Sequence, residues 1–255
     1  MTRQTTDADT SFILATGASS GIGREMAVQL SAAHRVILSG RDAIRLEETR
    51  QRCTAPEAQL IWRHDLSDVD SLAGELSQFL STNNARVSSF IHCAGLLKIL
   101  PLNSLTLQQT RDMLNTNFLS AMEITRALMK RKVNGRQLRS IVFISSIASK
   151  FGAKGFSAYC ASKGALDALM RALAVELAPE VRVNSVLPGG IRTAMTQPIF
   201  DDPGMAARLQ RDYPLGTGQP RDVIDLVEFL ISDSARWITG QQMVVDGGRT
   251  SNVSA

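Results

Sequence analysis

Cysteine is scarce in this chain. Only Cys53, Cys93 and Cys160 occur, far apart and odd in number, with no Cys-x-x-Cys pair. The three histidines, His34, His64 and His92, add no ligand cluster. A disulfide scaffold and a zinc site are thereby excluded, and no metal is expected. Reduced thiols fit a reducing, cytoplasmic setting. Long apolar runs are missing too. No segment approaches the roughly 20 residues a membrane helix needs, so no membrane partner is expected. Met1 to Ser11 lacks the apolar stretch of a signal peptide and reads as a frayed, flexible tail over residues 1–11.

A strong charge imbalance is also absent. The net charge is +4, too mild to indicate nucleic acid but suited to a phosphate-bearing ligand. One local concentration stands out: Arg126, Lys130, Arg131, Lys132, Arg136 and Arg139, with no acid among them. It reads as the solvated C-terminal end of a helix, where cations suit the helix dipole, with a docking patch for an acidic partner as the alternative.

What is present is a large apolar fraction, 44% of 255 residues, enough for a substantial core. Short β-type runs alternate with amphipathic stretches. The expected strands are residues 12–16, 35–39, 60–62, 89–92, 140–145, 182–187 and 242–246. Helices are expected up to about residue 32, from about 42, after a cap at Ser67 or Asp68, over 106–130, 157–177 and 221–232. Seven strands alternating with helices predict an α/β fold: a doubly wound, seven-stranded parallel sheet of Rossmann type, in one domain over residues 12–255. Such a sheet binds its ligand at the carboxyl ends of the strands, where the strand order reverses. The stretch 193–219, with three prolines and three glycines, is expected to be irregular and to act as a mobile flap.

Three constellations carry chemistry. Thr16-Gly17-Ala18-Ser19-Ser20-Gly21-Ile22-Gly23 follows the first strand. Its glycines permit a tight turn and close approach of a pyrophosphate, and the next helix offers free N–H groups to phosphate oxygens. Tyr159 and Lys163 stand four apart on a helix, hence on one face. A phenol ionises near pH 10, and lowering that to about 7 takes roughly 4 kcal/mol. A cation at about 4 Å, at an effective dielectric near 20, supplies about that much. Lys163 is therefore expected to make Tyr159 a usable acid or base at neutral pH. Ser145-Ser146 closes the fifth strand and points hydroxyls at the expected site; by itself such a pair is also ordinary turn chemistry.

Together with Asp65-Leu66, Ala94-Gly95, Asn117, Pro188-Gly189, Thr193 and Asp246-Gly247-Gly248, these residues resemble the short-chain dehydrogenase/reductase family in its shorter, 3-oxoacyl reductase-like subgroup. The resemblance runs from about Phe12 to Gly248. It implies a nicotinamide-dependent oxidoreductase interconverting a carbonyl and an alcohol. Tyr159 would be the general acid or base. Ser146, at the family's thirteen-residue interval before it and so preferred over Ser145, would hydrogen-bond the same oxygen. Lys163 would lower the Tyr159 pKa and hold the nicotinamide ribose. Asn117, rather than Asn115, would hold a water for proton relay. The cofactor contacts would be Gly17, Ser19, Ser20, Gly21, Ile22, Gly23, Gly40, Arg41, Asp65 and Leu66 at the adenine side. Ala94, Gly95, Tyr159, Lys163, Pro188, Gly189, Ile191 and Thr193 would complete them. Family members are commonly dimers or tetramers, so a homo-oligomer is implied.

The chain departs from the family where Asn-Asn-Ala-Gly is usual and His92-Cys93-Ala94-Gly95 stands instead. Weaker local bracing in an intact enzyme is expected; Cys93 as a nucleophile is the lesser reading. At the end of the second strand, where NAD-specific members place an acid, stand Gly40 and then Arg41. A guanidinium suits a 2′-phosphate, so NADP(H) is expected over NAD(H), and with it reduction of a ketone or aldehyde. Arg41 as a solvated helix-start residue and Asp42 as a cap is the competing reading. A non-catalytic NADP(H)-binding regulator would show a broken catalytic set, whereas Asn117, Ser146, Tyr159 and Lys163 are all present. A nucleotide-sugar epimerase would need a larger C-terminal region. A 3-oxoacyl thioester, a sugar, a steroid-like ketone or a small polyol remain open as substrates.

Overall fold

Seven strands form in chain order: β1 Phe12–Thr16, β2 Arg35–Gly40, β3 Leu60–Arg63, β4 Val87–His92, β5 Ser140–Ile144, β6 Arg182–Pro188 and β7 Gln242–Val245. In this computed structural model residues 11–252 are described; the expected frayed tail lies, but for Ser11, outside them. The strands make one sheet in the order β3-β2-β1-β4-β5-β6-β7, every pair parallel. Chain order reverses between β1 and β4, so their carboxyl ends, Thr16 and His92, flank the opening where such sheets bind ligands.

The central strands are apolar because both faces are covered. Alternate residues serve opposite cores. Phe12, Leu14, Phe90 and Phe143 pack under helices α3 (Val69–Thr82), α5 (Ser120–Leu128) and α7 (Ser157–Glu176). Ile13, Ala15, Ile91 and Val142 pack under α1 (Gly21–Leu30), α2 (Ala43–Arg52) and α10 (Pro220–Ile231). Asp42 and Asp68 cap α2 and α3 by accepting from the backbone N–H groups of Arg45 and Ser71.

Two expectations need correction. The helix predicted over 106–130 is not continuous. Helix α4 (Leu107–Leu114), started by a Thr106–Gln109 capping box, passes into a π-turn over Asn115–Leu119 before α5, and a short α6 (Arg131–Asn134) follows. The wider turn brings the Asn117 side chain inward, where it bonds to neighbouring elements rather than to its own helix. The stretch 193–219 is not irregular either. It holds α8 (Gln197–Asp201) and α9 (Pro203–Asp212). Pro198 and Pro203 sit in first-turn positions, where no backbone N–H is needed, and Asp202 caps α9 by accepting from Met205 N–H.

Candidate active site

A cleft of about 640 Å³ opens at the carboxyl end of the sheet. Its floor starts at the glycine turn. Gly17 has φ +72°, and a Cβ there would stand 2.8 Å from the Ala94 nitrogen; a Cβ on Gly23 would stand 2.2 Å from the Gly17 carbonyl oxygen. Only glycine allows β1, β4 and α1 to approach this closely. The Thr16 hydroxyl ties the junction together. It accepts from the N–H groups of Cys93 and Ala94, each at 3.2 Å, and lies 3.0 Å from His92 Nδ1. Helix α1 begins at Gly21 without a side-chain cap on its first N–H groups, leaving them for an anion.

Gly17, Ser19, Ser20, Gly21, Ile22 and Gly23 all border this cleft. So do Gly40 and Arg41 from β2, Asp65 and Leu66 after β3, and Ala94 and Gly95 after β4. Pro188, Gly189, Ile191 and Thr193 close it after β6. Asp65 is held below the usual carboxylate range, first by the Ser67 backbone N–H it accepts from. Lining residues outside the expected set include Arg45, Asp112, Thr116 and Thr196. Arg45 stands in the first turn of α2, just after the cap at Asp42.

At the other end of the cleft stand Ser146, Tyr159 and Lys163. Ser146 follows β5; its hydroxyl accepts from Ala148 N–H at 3.1 Å and is the hydrogen-bonding group that pulls the Tyr159 pKa down. Ser145 instead turns into the protein, its hydroxyl 3.5 Å from the Lys163 carbonyl oxygen. Tyr159 lies in the first turn of α7, with Phe156 edge-on at 6.0 Å. Lys163 is 3% exposed and donates from Nζ to the Ile144 carbonyl oxygen at 2.8 Å.

Tyr159 is not lowered towards neutrality. Burial pushes it up to about 12, against the smaller pull of Ser146. Burial also pushes the Lys163 amine down, to about 8, so it still carries its charge at pH 7. The amine stands 5.9 Å from the Tyr159 ring centre.

Asn117 does not border the cleft. It is fully buried, accepting from Leu96 N–H at 2.7 Å and donating to the Leu96 carbonyl and the Ser162 hydroxyl. It lies behind Gly95, together with Lys163 Nζ. At the departure from the family pattern, His92 is wholly buried and pushed down to about 3 by desolvation, so it is neutral. Cys93 is pushed up to about 12 by burial, which removes the thiolate a nucleophile requires.

A sequence profile described as enoyl-(acyl carrier protein) reductase matches residues 17–250. The chain belongs to the short-chain dehydrogenase/reductase family. Family relatives include cyclopentanol dehydrogenase from Comamonas sp. (strain NCIMB 9872), 37% identical over 190 residues, which are 74% of this chain and 75% of the relative. Bovine L-xylulose reductase is 32% identical over 242 residues, covering 92% and 94%. A solved 4-hydroxyisoleucine dehydrogenase, complexed with NADH, superposes with a TM-score of 0.88 at 28% identity, covering 95% of this chain and 99% of that one. The chain is thus a dehydrogenase/reductase acting on CH–OH or C=O groups. The close-approach glycines and the uncapped helix start fit a nicotinamide dinucleotide in the cleft. Among the described residues no His, Cys, Asp and Glu group could hold a metal ion, and no helix is long and apolar enough to cross a membrane.

Proposed function

We propose that the chain reduces a ketone or aldehyde with NADPH, using Tyr159 as the proton donor. The observation that carries this is the convergence of Ser146, Tyr159 and Lys163 at one end of the cleft whose other end is the glycine turn. When bound, the cofactor supplies the hydride from its nicotinamide ring. A Tyr159 pushed up to about 12 is fully protonated at neutral pH, so it serves as an acid towards a carbonyl oxygen better than as a base. Ser146 donates to the same oxygen and holds it against the Tyr159 hydroxyl. Lys163, with its charge retained at pH 7, stabilises the phenolate as the proton leaves. Asn117 acts from behind Gly95, fixing Leu96 and Ser162 rather than holding a water in the cleft. The apolar Leu96 and Met195, which line the cleft, exclude water from the reacting carbon.

NADP(H) is favoured at the β2 end. Gly40 offers no carboxylate, Arg41 and Arg45 both border the cleft, and Asp42 is occupied capping α2 while facing Arg45 at 3.5 Å. A homo-oligomer is supported by two exposed apolar side chains, Val244 on the edge strand β7 and Trp237, 97% exposed. A monomer by light scattering would overturn that part. Three free cysteines suit a cytoplasmic protein. The deciding experiment is Tyr159→Phe, assayed on a panel of ketones and aldehydes. Cofactor affinity should be retained and turnover should fall by at least about 100-fold, within the usual range for losing a general acid. Undiminished turnover would remove Tyr159 from the role.

A further inference from the structure

A second cavity, of about 440 Å³, opens at the opposite end of the sheet. It lies between α3 and the turn that carries α6, and it is lined by Gly74, Ser77, Ser81, Arg86, Lys130 and Lys132, with Ala73, Asn84 and Val133. It is remote from the cleft. Strand β4 starts beside it at Val87 and ends at His92, next to the cleft-lining Cys93, a span of about 16 Å.

Three features suit an anion. The lining holds three cations and no carboxylate. Among the described residues no carboxylate pairs with Arg86, Lys130, Arg131, Lys132 or Arg136, although Arg126, one turn earlier, is held by Glu123. The positive run noted in the sequence therefore ends in a concave site. Arg86 is half-buried and braced, donating to the Ala85 carbonyl oxygen with Gly135 packed close against its guanidinium stem. The Ser81 hydroxyl stands on the same wall, while that of Ser77 is already donated to the Ala73 carbonyl oxygen. Finally, Gly74 sits inside α3, where glycine costs about 1 kcal/mol relative to alanine. Packing does not require it, because a Cβ there would meet nothing within 4 Å. Its effect is to leave the cavity wall open.

We propose that this cavity binds a small phosphorylated molecule, its phosphate groups held by Arg86, Lys130 and Lys132 and its body lying over Ala73 and Gly74. The volume suits a diphosphate better than an extended polyanion, with Lys130 and Lys132 exposed and Arg86 half-buried around it. Binding rests on charge-assisted bonds, so it weakens with ionic strength.

The test is titration calorimetry with pyrophosphate and, separately, with ADP, on protein already saturated with its nicotinamide cofactor so that the dinucleotide cleft is filled. Wild type should bind one equivalent. The double variant Lys130→Glu, Lys132→Glu should lose at least about tenfold in affinity, equivalent to about 1.4 kcal/mol. Lys130→Arg with Lys132→Arg should retain it. Gly74→Leu changes no charge, should not lower the melting temperature, and should still block binding by filling the wall. Binding of both ligands assigns the site to the diphosphate group; binding of ADP alone adds the nucleoside. No saturable binding on the cofactor-filled protein would overturn the proposal. So would binding of duplex DNA or heparin that the lysine reversals abolish and Gly74→Leu leaves unchanged, since that describes an open surface rather than a cavity.

Discussion

Replacing Gly40 with aspartate tests the cofactor reading at its most exposed point. The position tolerates a side chain: Gly40 is outside the left-handed region, and a Cβ would meet Ser19 Oγ at 3.4 Å and Leu46 Cδ2 at 3.5 Å, ordinary contacts. The new carboxylate would stand at the end of β2, where the proposed 2′-phosphate would lie near the cleft-lining Arg41 and Arg45. One unit charge about 5 Å from another, at an effective dielectric near 20, is repelled by about 3 kcal/mol. Solvent at this rim screens part of that, leaving about 1.5–3 kcal/mol, a loss of roughly 10- to 150-fold for NADP⁺. For NAD⁺ the carboxylate gains the ribose 2′-hydroxyl as a donor, a charge-assisted bond with a net contribution of about 1.5 kcal/mol or more. The ratio of the two affinities should therefore move towards NAD⁺ by about 100-fold or more. Dissociation constants follow from cofactor fluorescence and from the shift in melting temperature with cofactor concentration, and neither needs a substrate. The melting temperature without cofactor should stay close to wild type. A ratio that moves less than about threefold in a folded variant would falsify the placement of a 2′-phosphate here.

Other expectations concern buried groups and the glycine turn. Lys163 falls from 10.5 to about 8 on folding, so between those values the unfolded chain binds more protons and wild-type stability rises with pH relative to Lys163→Met, by up to about 3 kcal/mol. Denaturant unfolding at pH 8 and 10 reads this, and a flat difference between the two proteins would refute it. His92 falls from 6.5 to about 3, so wild type should lose stability as pH drops through that window while His92→Leu lacks that component. At pH 7, His92→Leu should cost about 1–3 kcal/mol through the lost Thr16 contact, and equal stability of the two proteins would show that contact to be idle. Gly23→Ala drives a Cβ to within 2.2 Å of the Gly17 carbonyl oxygen and should lower both melting temperature and dinucleotide affinity; an unaffected variant would mean the turn is more pliable than its geometry indicates.

Much of this protein is legible along the chain because its signals are local. The apolar runs of β1, β4, β5 and β6 read as strands since both faces are covered, and the order of strand and helix leaves little choice but a parallel sheet. Asp42 and Asp68 announce helix starts through bonds made within three residues. The family resemblance, through its thirteen-residue interval, favours Ser146 over Ser145, and the two side chains part company, one to Tyr159 and one to the Lys163 carbonyl oxygen. Helices α8 and α9 were hidden because proline and glycine counts say nothing of position, and Pro198 and Pro203 occupy the first-turn places where proline is tolerated. The π-turn at Asn115–Leu119 was hidden because its cause is distant: Leu96 and Ser162, each at least 21 positions from Asn117.

The same division holds at the candidate site. Sequence alone determined which residue types are available: the glycines at 17, 21 and 23, a Tyr and a Lys on one helix face, and Gly40 rather than an acid as the last residue of β2. Tertiary structure decided what state those groups are in. Spacing places a cation one helical turn from a phenol and suggests a lowered pKa. Folding takes both groups out of water, turns the Lys163 amine to the Ile144 carbonyl and leaves the phenol raised. Proximity along a helix is set by covalent geometry, but the solvation that governs a proton is set by what the rest of the chain packs around it.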